Sequence, residues 1–158
     1  MKNRSLLLFI LLLVAMLTLA ACGSGQQTAT SAAADEGEIA RPSNPGGTGE
    51  AVNLTGDAQS GADIFSQNCS ACHGDQGKAG IANTGSADGN VPTLNPIDPT
   101  LKNSDPKVFA ENIDLFIEHG STPEGESPAL KMPSFGDSKT LTPQQIADVI
   151  AYVISLNK

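Results

Sequence analysis

The sequence predicts an all-α protein built as one small domain behind a long N-terminal extension. Three stretches repeat apolar residues at the three-to-four spacing of an amphipathic helix, and each follows a residue suited to capping. No stretch alternates apolar and polar residues as a half-buried strand does. The connections are rich in Gly, Asn, Asp and Pro, so they read as loops and not as further elements.

Residues 1–21 read as an export segment. Lys2 and Arg4 form a short basic start, and an apolar run follows from Leu6 to Ala20, the pattern of a secretory signal. The run approaches spanning length, so a retained transmembrane anchor is the alternative. The tetrapeptide Leu19 to Cys22, "LAAC", resembles the bacterial lipobox. That resemblance implies a lipoprotein signal peptide over 1–21, with Cys22 acylated as the new N-terminus. Either reading places the remaining chain outside the cytoplasm, and the lipobox reading sets it at the outer face of the cell membrane.

From Cys22 to Asn53 the composition is Gly, Ser, Thr, Ala, Gln and Pro with scattered acids. Such a segment has too little apolar surface to offset chain entropy, and it is expected to be a disordered tether. As a flexible coil of about 30 residues it would span roughly 30 Å.

The folded domain is expected over residues 54–158. Its first helix starts with Thr55 or Asp57 as N-cap, carries Gly61, Ile64, Phe65 and Cys69 on one face, and stops at Gly74. A long loop follows. The second helix opens at Asp105 and Pro106, presents Phe109, Ile113, Phe116 and Ile117, and ends at Gly120. After another loop, Thr142, Pro143 and Gln145 form a capping box for the third helix, whose buried stripe is Ile146, Val149, Ile150, Val153 and Leu156.

The chain has no Trp, one Tyr and five Phe, so the domain has few large side chains for a core. A domain of about 100 residues is only marginally self-sufficient, and a large apolar cofactor would help fill it. Removal of residues 1–21 takes two basic residues and no acidic one from a net charge of −8, leaving −10. That balance excludes nucleic acid as a natural partner, since phosphate binding needs a basic patch. It suits attraction toward a basic partner face.

With Cys22 assigned to lipid, Cys69 and Cys72 remain, in "CSACHG". A structural zinc site needs four ligands, usually two Cys/His pairs, and no second pair is present. A thiol–disulfide exchanger carries Cys-X-X-Cys at the start of a helix after a strand, whereas here the motif closes a helix. A disulfide across two intervening residues constrains little chain and leaves His73 idle. Haem attachment uses all three residues: two thiols add to the two vinyl groups of the porphyrin, and the next residue reaches the iron.

The domain resembles a class I c-type cytochrome of the bacterial, lipid-anchored kind. The resemblance rests on the helix with Gly61 and Phe65 entering "CSACHG", on "VPTL" (Val91 to Leu94), on the middle helix ending "FIEHG", and on "KMPSFG" (Lys131 to Gly136) before the helix with Tyr152. It implies three main helices and long loops wrapped around one covalently bound haem c. It also implies that the first and last helices cross at Gly61, with Phe65 and Tyr152 packed at the crossing.

The resemblance implies a site as well. Cys69 and Cys72 would carry the haem, and His73 and Met132 would be the axial ligands of its iron. Pro92 matches the proline whose carbonyl holds the proximal histidine. A lone Met is ordinarily core filler, but "MP" before the last helix is where this family places its ligand. His119 is the rival ligand, and its alternative is a solvent-facing helix cap. Iron ligated by both His and Met leaves no open site, which favours a non-enzymatic carrier of single electrons. Its expected partners are membrane redox complexes: a quinol-oxidising complex, a terminal oxidase or a photosynthetic reaction centre. A haem subunit fixed in a larger respiratory complex, and a haem enzyme or sensor with an open distal face, are the alternatives.

Overall fold

The computed structural model describes residues 46–158. Residues 1–45, including the expected signal peptide, Cys22 and most of the expected tether, lie outside the described residues.

Among the described residues four α-helical segments follow in order: α1 (Ala58–Asn68), the single turn α2 (Ser70–His73), α3 (Pro106–His119) and α4 (Pro143–Ser155). Short 3-10 turns occupy Glu50–Asn53 and Asp75–Gly77. Among the described residues the only β pairings are isolated bridges, Ala82 with Asn90 and Ser121 with Met132. The fold is all-α.

Each main helix begins on its capping residue. The Asp57 carboxylate accepts from the Ser60 N–H, and the Asp105 carboxylate from the Lys107 N–H, with Pro106 in the first turn. Thr142 and Gln145 bond each other reciprocally as a capping box, again with a proline in the first turn. These contacts satisfy N–H groups that have no partner within the helix.

The first helix is broken where the sequence suggests continuity. Cys69 has φ −119° and separates α1 from α2. The Ser70 hydroxyl donates to the Ser66 carbonyl at 2.7 Å, occupying the acceptor that the helical N–H of Ser70 would use. A serine bonded back in this way bends a helix.

α1 packs on α4. A Cβ on Gly61 would overlap the Asp148 carbonyl and lie 2.9 Å from the Cβ of Tyr152, so only glycine allows this approach. The Phe65 and Tyr152 rings meet beside it, with centroids 5.3 Å apart and planes inclined at 58°. Phe65 is buried with Ile146, Val149, Ile150 and Val153 of α4 and Phe109, Ile113 and Ile117 of α3. Leu156 is only half-buried and follows the last helical residue.

The folded domain begins earlier than composition suggests. Ala51 is 2% exposed, and its turn packs on α3 and α4. The Gly49 N–H donates to the Asp114 carboxylate at 2.7 Å, and His119 bonds the Gly47 carbonyl at 2.8 Å. Residues 46–53 therefore belong to the domain. Their small, polar sequence has no apolar period, and they are held by backbone groups that pattern reading does not register.

Candidate functional site

The turn α2 holds the pentapeptide. The Cys72 and His73 N–H groups both donate to the Cys69 carbonyl, at 3.1 and 3.0 Å, so the three side chains project from one tight turn. Both thiols are free and half-buried. Burial pushes the Cys69 thiol up to about 11, with Cys72 adding to the shift. A thiol held protonated is a poor nucleophile for disulfide exchange.

His73 Nδ1 lies 2.8 Å from the Pro92 carbonyl oxygen. That oxygen can only accept, so Nδ1 carries the proton. Burial holds the imidazole below its usual range, more than the Pro92 bond raises it. Burial thus favours the neutral ring, whose lone pair on Nε2 is available to a metal. The Pro92 loop is itself fixed: the Leu94 and Asn95 N–H groups both donate to the Gly77 carbonyl, at 2.8 and 3.0 Å. Farther along, Asn157 accepts from the Ile97 N–H and donates to the Leu94 and Val153 carbonyls, pinning the loop to the end of α4.

Met132 is half-buried and sits beside the end of α3. Its backbone pairs with Ser121 in both directions, at 2.8 and 3.0 Å. A Cβ on Gly120, which has φ 68°, would come within 2.5 Å of the Met132 carbonyl. His119 lies elsewhere. Its Nε2 reaches Gly47 and its Nδ1 reaches Asp137, and its side chain is 11% exposed. It is a half-buried clamp and not the solvent-facing cap that its helix-end position suggests, because the segment at Gly47 folds over it.

These residues fit a haem. Two thiols and an imidazole with a directed lone pair share one turn. Ile64, Leu94, Phe116, Met132, Phe135 and Tyr152 pack against the core yet stay only partly buried, and an apolar macrocycle would complete such burial. Among the described residues no group of three His, Cys, Asp or Glu could hold a metal ion.

A helical domain of this kind, with Cys-X-X-Cys-His on a turn and its histidine held by a proline carbonyl, defines a class I c-type cytochrome. Residues 56–153 match the family described as cytochrome c oxidase, cbb3-type, subunit III, and the chain belongs to that family. It is similar to the cbb3-type cytochrome c oxidase subunit FixP of Sinorhizobium medicae, at 35% identity over 99 residues, 62% of this chain and 29% of that protein. FixP of Rhizobium meliloti matches with the same identity and coverage. Cytochrome c6 of Gloeothece citriformis is 35% identical over 101 residues, 64% of this chain and 73% of that protein. The chain thus spans under a third of the FixP relatives' length. No solved structure matches it. The cofactor of the family is haem c, covalently bound, and one haem suits a domain of this size.

Sequence reasoning missed the polar side chains that hold the loops. Asn83, Asp114, Asp148 and Asn157 are all buried. Their only sequence signal is a polar residue in or beside an apolar stripe for Asp114, Asp148 and Asn157, and Asn83 has none.

Proposed function

We propose that this chain is a membrane-tethered, monohaem electron carrier on the outer face of the cell membrane. Cys69 and Cys72 would hold the haem through two thioethers, His73 Nε2 and the Met132 sulfur would ligate its iron, and the Pro92 carbonyl orients His73. The observation that supports this best is the 2.8 Å contact between His73 Nδ1 and Pro92, next to two free thiols. Bound haem supplies a one-electron iron couple, whose potential Met ligation raises. With His73 and Met132 both bound, the iron would have no position left for substrate, which supports a carrier over an enzyme or sensor. Attachment is assigned to Cys22 on the resemblance of Leu19 to Cys22 to the lipobox.

The expected partners are membrane redox complexes: a quinol-oxidising complex, a terminal oxidase or a photosynthetic reaction centre. FixP is by name an oxidase subunit, and this similarity supports a terminal oxidase as electron acceptor. It equally supports a second reading, a haem subunit held permanently within an oxidase. Detergent purification separates the two, since a shuttle leaves the oxidase on washing and a fixed subunit stays.

The test of ligation is optical. The oxidised protein should show the weak far-red charge-transfer band of a thioether–Fe(III) bond. Met132→Ala should lose it and bind cyanide more readily, while His119→Ala should keep it. Loss of the band in His119→Ala alone would overturn the assignment.

A further inference from the structure

We propose that Asn83 is a positioning residue for the sixth ligand of the iron. Its buried amide ties the loop carrying Pro92 to the loop carrying Met132. The proposal rests on the reading of Met132 as a ligand.

Asn83 is 1% exposed, although its neighbours Ala82 and Thr84 are both exposed. Its Oδ1 accepts from the Leu130 N–H at 2.8 Å, and its Nδ2 donates to the Leu130 carbonyl at 3.1 Å. The side-chain amide thereby makes the two bonds that a neighbouring strand would make to one residue, standing in for a peptide group. The seam continues on one side. The Ala129 N–H donates to the Thr84 carbonyl at 2.9 Å, and the Ala87 N–H to the Glu124 carbonyl at 2.7 Å.

Asn83 is itself held firmly. Its N–H donates to the Gly89 carbonyl at 2.8 Å, and its carbonyl accepts from the Ser86 hydroxyl at 2.8 Å. The bridge of Ala82 with Asn90 closes this small loop, and the Val91 N–H donates to the Ile81 carbonyl at 2.8 Å. Val91 leads directly into Pro92, the acceptor for His73. Leu130 lies two residues before Met132, whose other anchor is Ser121. A bonded route thus runs from the His73 ring to the Met132 backbone, and its crossing nearest Met132 is the Asn83 side chain on Leu130, with the Thr84–Ala129 backbone bond beside it.

This placement matters because a neutral thioether is a weak ligand, retained only when its loop holds it in place. Ser121 fixes the segment at Met132 itself, and Asn83 fixes the approach to it. Without the amide, the Leu130 N–H and carbonyl lose their partners in a half-buried setting, and the segment gains by turning toward water. Met132 then competes less well with external ligands.

The test uses the full-length holoprotein with Asn83→Ala and Asn83→Asp. In Asn83→Ala, covalent haem should remain, the far-red band should weaken, and the affinity of the ferric form for cyanide should rise about tenfold. That factor corresponds to roughly 1.4 kcal/mol, within the range for stranding a buried hydrogen-bonding group. Asn83→Asp supplies a second, reversible readout. A protonated carboxyl can donate and accept as the amide does, whereas the ionised form only accepts. The band should therefore be near wild-type at acid pH and decline as pH rises, while the wild type stays flat over the same range. Should Asn83→Ala fail to mature, this titration decides the matter. A wild type without the band would overturn the Met132 reading itself. A wild type with the band, together with Asn83 variants whose band and cyanide affinity are unchanged, would overturn only the positioning role.

Discussion

The imidazole of His119 lies 3.0 Å from the carboxylate of Asp137, and its other nitrogen lies 2.8 Å from the Gly47 carbonyl. Both partners can only accept, so the site favours an imidazolium that donates from both ring nitrogens. The bond to Asp137 and then that to Gly47 raise its pKa above the ordinary 6.5. Nearby, burial raises Asp114 and Glu118 above their ordinary 3.8 and 4.5, and neighbouring carboxylates add to both shifts.

All three shifts have one sign: the folded state holds these protons more tightly than the unfolded chain does. Stability from such groups is lost as pH rises. Asp114 and Glu118 act in the acid range above 3.8 and 4.5, and His119 acts above 6.5. Thermal unfolding of the holoprotein should therefore show a midpoint that falls as pH rises past 6.5. His119→Gln should flatten that part of the curve. A midpoint that climbs over this range would contradict the clamp.

Gly61→Ala sets two effects against each other. Alanine improves helix propensity by about 1 kcal/mol. Its methyl, however, would overlap the Asp148 carbonyl, a backbone atom that cannot rotate away. Overpacking of this kind costs about 1–3 kcal/mol and should win. Denaturant unfolding should show lower stability, and the Phe65–Tyr152 contact should loosen. An unchanged midpoint would mean that the helices separate without cost.

Covalent attachment has a direct check. Thioethers survive denaturation, so a denaturing gel stained for haem should show colour on the polypeptide. Cys69→Ala or Cys72→Ala should weaken attachment or abolish maturation. Complete extraction of haem from the wild type by acid and organic solvent would refute the thioether assignment.

Membrane tethering is tested at Cys22. A lipobox cysteine carries at least two acyl chains, enough for firm anchoring where a single chain holds only marginally. Cys22→Ser should move the protein to the soluble fraction with its visible spectrum unchanged. Deleting residues 26–44 leaves the docked segment from Gly46 intact and shortens only the extension. That variant should stay on membranes yet deliver electrons more slowly to a membrane oxidase, because its reach and effective concentration change. An unaltered rate would favour the fixed-subunit reading. If residues 1–21 are removed, the charge goes from −8 to −10 by loss of two basic residues, and encounter with a basic partner face should also slow as salt rises.

Sequence alone determined the parts of this protein that depend on residues one to four apart. The helix starts at Asp105 and Thr142, the choice of Thr55 or Asp57 for α1, the stripes on α3 and α4 apart from half-buried Phe116 and Leu156, and the Cys-X-X-Cys-His turn are all of this kind. Helix geometry links such neighbours wherever the chain goes. The crossing at Gly61 and the link from Pro92 to His73 came through resemblance, since a glycine or a proline has several local explanations. Only the tertiary structure decided how the loops are held. Asn83 meets Leu130 across 47 residues, His119 meets Gly47 across 72, and Asn157 meets Ile97 across 60. It also decided that the domain begins before Ala51, a residue whose surroundings read as tether. These contacts use single polar side chains and bare backbone groups. Such groups stay buried only when matched by a partner, and the fold alone decides which remote group that partner is.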